Sequence, residues 1–140
     1  MPERSIKSPE EVEKKLNNRA KTFDHHRLNA AAKFAERVAE NIYAQFATGM
    51  SLVSTKTMVS DSAERIIISF SNLDKSMTAM HPALKVTMKD AAYMTFLNYL
   101  RGKDTEAASM LYNQLMTSLK ARDQATYAGL IKGGYPALMV

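Results

Sequence analysis

Apolar residues recur at helical spacing in the N-terminal third of the chain. This stripe is thin at first and thickens from Leu28, where many of the apolar positions are alanine. Ser8 and Pro9 can open the helix, because serine caps a helix and proline fits its first position. The pattern predicts a helical region over residues 8–48, either continuous or restarted at Asp24, whose small side chains would allow a neighbouring helix to approach closely.

The strongest helical pattern lies in residues 81–122. Two apolar helical stretches flank a short break at Gly102, and Pro82 suits the start of the first stretch. This pattern predicts helices over 82–101 and 105–124, packed as an antiparallel hairpin because their connection is short. The first of these helices is apolar on nearly all sides, so either the domain surrounds it or a second subunit covers part of it.

Residues 50–72 have a different character, since they are rich in β-branched residues and serine and include Ile66-Ile67-Ile68. Such a composition is typical of strands, and a short β-hairpin at about 51–71 is the preferred interpretation. A helix that starts at Asp61, with Glu64 three residues later, is the alternative.

The chain ends in an apolar stretch that follows the glycine pair Gly133-Gly134. We expect a single helical domain over residues 1–128 and a flexible C-terminal arm over 129–140. The apolar end either folds back onto the domain or inserts into a partner, because exposed apolar segments need a cover. The residues predicted to dock on a partner are Tyr135, Pro136, Ala137, Leu138, Met139 and Val140.

The expected fold class is therefore mainly α, a small helical bundle around a central antiparallel helical hairpin. One hundred and forty residues suit one domain, and the 46% hydrophobic residues suit an ordinary core. The chain has no cysteine, which excludes disulfides and thiolate metal sites and fits a reducing compartment. No apolar run is long enough to span a membrane, and the charged N-terminus does not resemble an export signal.

A net charge of +5 raises the question of nucleic-acid binding. Within residues 1–40, however, nine basic side chains are mixed with seven acidic ones, which is typical of a solvated helix face. A small nucleic-acid-binding protein acting through the N-terminal helix is the main alternative function. Its phosphate-facing residues would be Lys14, Lys15, Arg19, Lys21 and Arg27.

The residues offer no recognisable catalytic or metal-binding pattern. His25 and His26 are adjacent, so on a helix they point about 100° apart and cannot chelate one ion from one face. No nucleophile elbow, phosphate loop or zinc motif is present in the sequence. We expect a non-enzymatic protein without a metal or cofactor. A helical chaperone or inhibitor that binds apolar peptides in a methionine-rich groove is a further alternative, since ten methionines include several at helical spacing.

The segment from His81 to Tyr127 resembles the C-terminal helical pair of the head-to-tail adaptor (connector) proteins of tailed bacteriophages. In that family, a proline-opened helix rich in alanine and aromatic residues leads through a Gly/Asp turn to a helix with alanine and tyrosine four residues apart. The residues that carry the resemblance are Pro82, Ala91-Ala92-Tyr93, Gly102-Lys103-Asp104, Ala108, Tyr112 and Met116.

The resemblance implies a structural protein of the virion, assembled in the host cytoplasm, whose copies form a homo-oligomeric ring between portal and tail. Portal or tail proteins would be its partners, DNA would pass through the ring with at most non-specific contact, and no membrane would be involved. The C-terminal arm would make the joining contact. The residues expected to pack between subunits are Tyr93, Phe96, Tyr99 and Tyr112.

Overall fold

A computed structural model describes the backbone of residues 9–46, 52–75 and 87–139, and the side chains of 26–46, 54–73 and 87–139. The elements are α1 (Pro9–Ala44), α2 (Leu52–Lys75), α3 (Met88–Arg101), α4 (Glu106–Arg122) and α5 (Gln124–Lys132). All regular secondary structure in these ranges is helical, which confirms the mainly α fold predicted from the sequence.

Helix α1 begins at Pro9 as predicted and runs without interruption past Asp24. Its buried face carries Ala31, Ala35 and Ala39, each almost completely covered. Helix α1 makes its largest interface with α3. Because alanine side chains are short, this face lets the two helix backbones approach closely, as the sequence pattern indicated.

The prediction of a β-hairpin at about 51–71 is wrong, since residues 52–71 lie in α2. The buried positions of α2 follow helical spacing: Val59, Ser62, Ala63, Ile66, Ile67 and Phe70. These residues form one stripe along α2, and this stripe packs against α4 and α3. Packing of this stripe outweighs the strand preference of the isoleucines. That preference depends on how a side chain packs on a sheet more than on the backbone itself.

Helices α3 and α4 form the predicted antiparallel hairpin. Lys89 in the first turn of α3 lies beside Asp123 at the end of α4, which fixes their opposite directions. The start of α3 differs from the prediction, because Thr87 has an extended backbone and caps the helix at Met88 together with Asp90. Pro82 lies outside the described residues. Helix α4 begins after Thr105, whose side chain accepts a hydrogen bond from the Ala108 amide.

The core is centred on Phe70 of α2, which is fully buried between α1 and α3. Its ring meets the rings of Phe34, Tyr93 and Phe96 edge to face, with centroids 6.1, 5.0 and 5.9 Å away. Edge-to-face pairs at these distances add to the free energy gained from burial. This aromatic cluster joins three of the helices.

The C-terminal end of α1 contacts the turn between α3 and α4 through a hydrogen bond and a cation–π interaction. The hydroxyl groups of Tyr43 and Thr105 are hydrogen-bonded at 2.6 Å. The ammonium group of Lys103 lies over the rings of Tyr43 and Tyr99, 5.5 and 4.8 Å from their centroids. These contacts place the ends of α1 and α3 side by side, so the two helices run in the same direction.

Ser62 is the buried side chain among the described residues whose hydroxyl has no hydrogen-bond partner. Replacing it with alanine is expected to raise the free energy of unfolding by about 1 kcal/mol, because a desolvated hydroxyl is removed from the core. Urea denaturation of Ser62→Ala and Ser71→Ala would measure this. Ser71 is the matched control, since it lies on the same helix and donates to the Ile68 carbonyl. A Ser62→Ala protein less stable than the parent would contradict the prediction.

Candidate functional site: the C-terminal segment

The end of α4 is organised by Asp123, which also starts α5. Its backbone amide donates to the Leu119 carbonyl and closes α4, while its carboxylate accepts hydrogen bonds from the Thr126 amide and hydroxyl and caps α5. Lys89 pairs with the same carboxylate at 2.9 Å. Arg122, one residue earlier, pairs with Glu64 of α2. Adjacent residues therefore hold the start of α5 against both α2 and α3.

The pKa of Asp123 is set by opposing effects. Partial burial alone would raise the pKa of this carboxyl, but hydrogen bonds from Lys89 and Thr126, together with the charge of Lys89, bring it below the ordinary value of 3.8. Because the pKa is lower in the folded state, the carboxylate stabilises the fold when the pH is above the ordinary carboxyl pKa. This contribution is lost as the pH falls through the folded-state pKa.

We expect Asp123→Asn to be less stable than the parent by about 0.5–1 kcal/mol at neutral pH, because asparagine still caps α5 but cannot pair with Lys89. The difference should shrink as the pH falls below the ordinary carboxyl range. Urea denaturation from pH 7 to pH 3 would check both points. Asp104→Asn, at an exposed position, is the control. A difference that stays constant to pH 3 would argue against the ion pair as its source.

Helix α5 was not predicted, and it occupies the first residues of the expected C-terminal arm. It ends at Lys132 and is capped by Gly133, and Gly134 follows with a φ of 98°, a left-handed conformation that favours glycine. The backbone turns here so that the Tyr135 amide donates to the Leu130 carbonyl. Residues 135–139, called here the C-terminal segment, then return to the bundle.

Tyr135 anchors the C-terminal segment on α3. Its side chain is only 9% exposed, and its hydroxyl lies 3.1 Å from the Asn98 side-chain oxygen and 3.3 Å from the Met94 carbonyl oxygen. The guanidinium of Arg101 lies over the ring, 5.6 Å from its centroid. A buried aromatic ring with a satisfied hydroxyl and a cation on its face is a specific contact rather than a loose apolar one.

Helix α4 binds the backbone of the C-terminal segment. The hydroxyl of Tyr112 donates to the Pro136 carbonyl at 2.6 Å. The side-chain amide of Asn113 donates to the Met139 carbonyl at 3.0 Å and accepts from the Met139 amide at 2.6 Å. Asn113 thus pairs with both polar groups of one residue, as a neighbouring strand would. The surface formed by Met94, Asn98, Tyr112 and Asn113 is called the tail site below.

Two open grooves flank this contact along α4. One, of about 250 Å³, lies between α4, Tyr127 and residues Ala137 and Leu138. The other, of about 390 Å³, lies between α4 and the start of α2, beside Asn113. Leu138 is 55% exposed although it is large and apolar. The C-terminal segment therefore leaves one apolar side chain available at the surface.

Most of the residues expected to pack between subunits belong to the core of the single chain. Tyr93, Phe96 and Tyr112 are fully buried, and this corrects the prediction, because their rings fill the space between the helices. Burial raises the pKa of the Tyr93 phenol, with a smaller contribution from Asp123, so the group stays neutral. Tyr99 is half-buried against Tyr43. The apolar circumference of α3 is covered by the chain itself.

The predicted docking residues fold back, which was one of the two alternatives. Tyr135, Pro136 and Met139 make the hydrogen bonds given above, so the C-terminal segment is tied down rather than extended. Val140 lies outside the described residues. The expected flexible arm over 129–140 is corrected accordingly: its first four residues belong to α5, and Tyr135, Pro136 and Met139 bind the tail site. A docking role in an assembly stays a prediction.

The basic residues of α1 do not form a continuous positive face where side chains are described. Arg27 is half-buried and has an interaction partner. Farther along, the exposed Lys33 and Arg37 alternate with the exposed Glu36 and Glu40. The other predicted phosphate-facing residues lie on α1 at positions whose side chains are outside the described ranges: Lys14, Lys15, Arg19 and Lys21.

Several of the methionines at helical spacing belong to the core or its edge, and the chaperone alternative stays a prediction. Met116 is fully buried, and Met94 and Met110 pack against the core with part of their surface covered. In the part of the chain that the structure describes, no group of three or more His, Asp or Glu side chains could hold a metal ion. His26 is exposed on α1, and His81 lies outside the described residues.

Sequence reasoning missed Asn98, Asn113 and Asp123. Asp123 carried a signal, because an aspartate between two helical stretches is a strong capping residue and implies a new helix start. The asparagines carried none, since their role depends on where the C-terminal segment returns. They define the site more directly than the tyrosines that the sequence pointed to.

No protein-family model matches the chain, and no curated protein or solved structure is significantly similar to it. None of the described helices is both long enough and apolar enough to cross a membrane. The function of this chain is therefore argued from its own residues and geometry.

Proposed function

We propose that this chain is a non-enzymatic structural protein that assembles into a homo-oligomeric ring in a virion, where it joins portal and tail as a head-to-tail connector. The observation that carries the proposal is the C-terminal segment, which is bound to the bundle as a peptide would be. Its contacts are hydrogen bonds from side chains to its backbone and one buried tyrosine. Such a set of contacts suits a segment that joins one protein to another.

The residues that resemble the phage adaptors support the same function. Gly102-Lys103-Asp104 form the turn of the α3–α4 hairpin. Ala108, Tyr112 and Met116 lie four residues apart and are fully buried on α4. Tyr112 also holds Pro136, so one position of the resemblance connects the hairpin to the C-terminal segment. The mixed charges of Lys33, Glu36 and Arg37 suit a surface that DNA passes rather than one that holds it.

Oligomeric state tests the proposal most directly. The full chain should form a large assembly of defined mass by light scattering and native mass spectrometry, and rings by negative-stain electron microscopy. A monomer that persists at high protein concentration would overturn the proposal.

A pair of matched variants tests whether the C-terminal segment makes the contact between subunits. Leu138 and Ile68 are both 55% exposed, but only Leu138 belongs to the C-terminal segment. Leu138→Asp should weaken the assembly because it places a charge in the joining contact, whereas Ile68→Asp on α2 should assemble like the parent. Equal assembly of both variants would remove the C-terminal segment from the proposed function.

A further inference from the structure

The tail site recognises backbone as much as side chains. Asn113 satisfies both the amide and the carbonyl of Met139, and Tyr112 satisfies the carbonyl of Pro136. Tyr135 supplies the specificity, since its hydroxyl has two acceptors on α3 and its ring lies beneath Arg101. The site therefore fits a short peptide that contains a Tyr-Pro pair and bends at Ala137 and Leu138.

An empty tail site would be unfavourable. Tyr112 is fully buried in the presence of the C-terminal segment, and its hydroxyl is paired with the Pro136 carbonyl. If the segment left, the Tyr112 hydroxyl and the Asn113 amide would lose their partners, and Tyr135 would expose its ring to water. Water would take the place of these partners in an open site, but exposure of the Tyr135 ring costs free energy, so the occupied site is favoured.

We propose that the tail site is filled in the assembled protein by residues 135–139 of a second copy of this chain, which exchanges its C-terminal segment for the resident one. An identical segment remakes the hydrogen bonds of the tail site and buries the same tyrosine. Exchange of an identical element is a low-cost route from a monomer to an assembly. Release of the segment to a different protein would leave the site empty.

The connection before the C-terminal segment suits this exchange. Gly133 and Gly134 are both exposed, and a side chain added at Gly134 would meet no neighbouring atom within 4 Å. Glycine samples a wide range of backbone conformations, so the segment can redirect here without disturbing α5. Because residues 135–139 keep their bound conformation, only the chain from Lys132 to Tyr135 can redirect, and it spans at most about 10 Å. Lys132 of one copy must therefore lie within that distance of the position of Tyr135 in the other.

The inference rests on the proposed homo-oligomer and specifies how its copies are joined. It differs from the idea of a free arm, because the tail site of each subunit is occupied by the same residues before and after assembly. Assembly is then driven by the interface around the exchanged segment, with the exposed Leu138 as its apolar component.

Cross-linking between single-cysteine variants distinguishes the two arrangements. The chain has no cysteine of its own. Thr117 and Ala137 line the same groove and are both exposed, so cysteines at these positions should be joined by a short bis-maleimide linker. Thr117→Cys and isotope-labelled Ala137→Cys chains would be expressed separately, refolded together, treated with the linker, and examined by intact mass spectrometry.

Exchange predicts a covalent dimer of one labelled and one unlabelled chain, several-fold more abundant than the dimer from a control pairing of Thr117→Cys with Ile68→Cys on α2. The Thr117→Cys/Ala137→Cys double variant should form linked chains larger than a monomer. If the double variant is linked only within single chains, or if both pairings give equal amounts of dimer, the exchange is overturned.

Light scattering on the same untreated samples separates this result from the proposed function. A large assembly with links only within single chains would overturn the exchange and leave the assembly role in place. A monomer would overturn both.

Discussion

Replacing Phe70 with alanine is expected to lower the free energy of unfolding by about 3–5 kcal/mol. The ring is fully buried and contacts three other aromatic rings from α1 and α3. Its removal eliminates the apolar burial and leaves a cavity that rigid neighbouring rings cannot easily fill. Urea or thermal denaturation followed by circular dichroism would measure the loss, and a total stability of about 5–15 kcal/mol makes it a large fraction of the whole.

Ile68→Ala is the control, because Ile68 lies two residues earlier on the same helix and is 55% exposed. Its stability should change by no more than about 0.5 kcal/mol. Similar losses in the two variants would mean that Phe70 is not the centre of the core. The comparison also tests the helical assignment of α2, since these two positions share a face in a strand but not in a helix.

Replacing Tyr135 with alanine is expected to release the C-terminal segment from a single chain. The variant loses a buried ring, the contacts of its hydroxyl with Asn98 and Met94, and the cation above the ring. The free energy of opening the segment should fall by about 2 kcal/mol, which is about 30-fold in the opening equilibrium. Global stability should fall less, because a terminal segment can detach while the bundle remains folded.

Hydrogen exchange at the Met139 amide would report this opening, since that amide donates to Asn113 only while the segment is bound. Tyr135→Phe is the matched variant. It keeps the ring and loses only the hydroxyl contacts, so it should open more easily by about 1 kcal/mol. Unchanged exchange at Met139 in Tyr135→Ala would show that Tyr135 is not the anchor.

The helices can be predicted from the sequence where the apolar residues recur clearly at helical spacing. The hairpin of α3 and α4 is predicted because Gly102 is a strong end signal, and Asp104 or Thr105 can cap the helix that follows. The β-hairpin predicted at about 51–71 is wrong because Ile66, Ile67 and Ile68 suggest a strand by composition. The spacing of Val59, Ala63, Ile66 and Phe70 carried the correct information, and a count of positions at three and four residues would have favoured the helix.

The candidate site was predicted only in part, for a physical reason. The apolar C-terminal residues and their glycine hinge are visible in the sequence, and they required a cover of some kind. Which cover they have depends on side chains about 25–40 positions away, namely Asn98 and Asn113. No local pattern marks an asparagine that will pair with a distant backbone, so the tail site became visible only in three dimensions.

The alanine positions of α1 accept only small side chains, whereas position 70 requires a large one. Ala31, Ala35 and Ala39 are almost completely buried on α1, which packs on α3, so we expect larger residues there to force the helices apart. Larger residues should therefore be harmful on the alanine face of α1, and smaller residues should be harmful in the aromatic cluster. Among related sequences, these three positions should accept only glycine, alanine or serine, while the aromatic cluster should exchange one large residue for another.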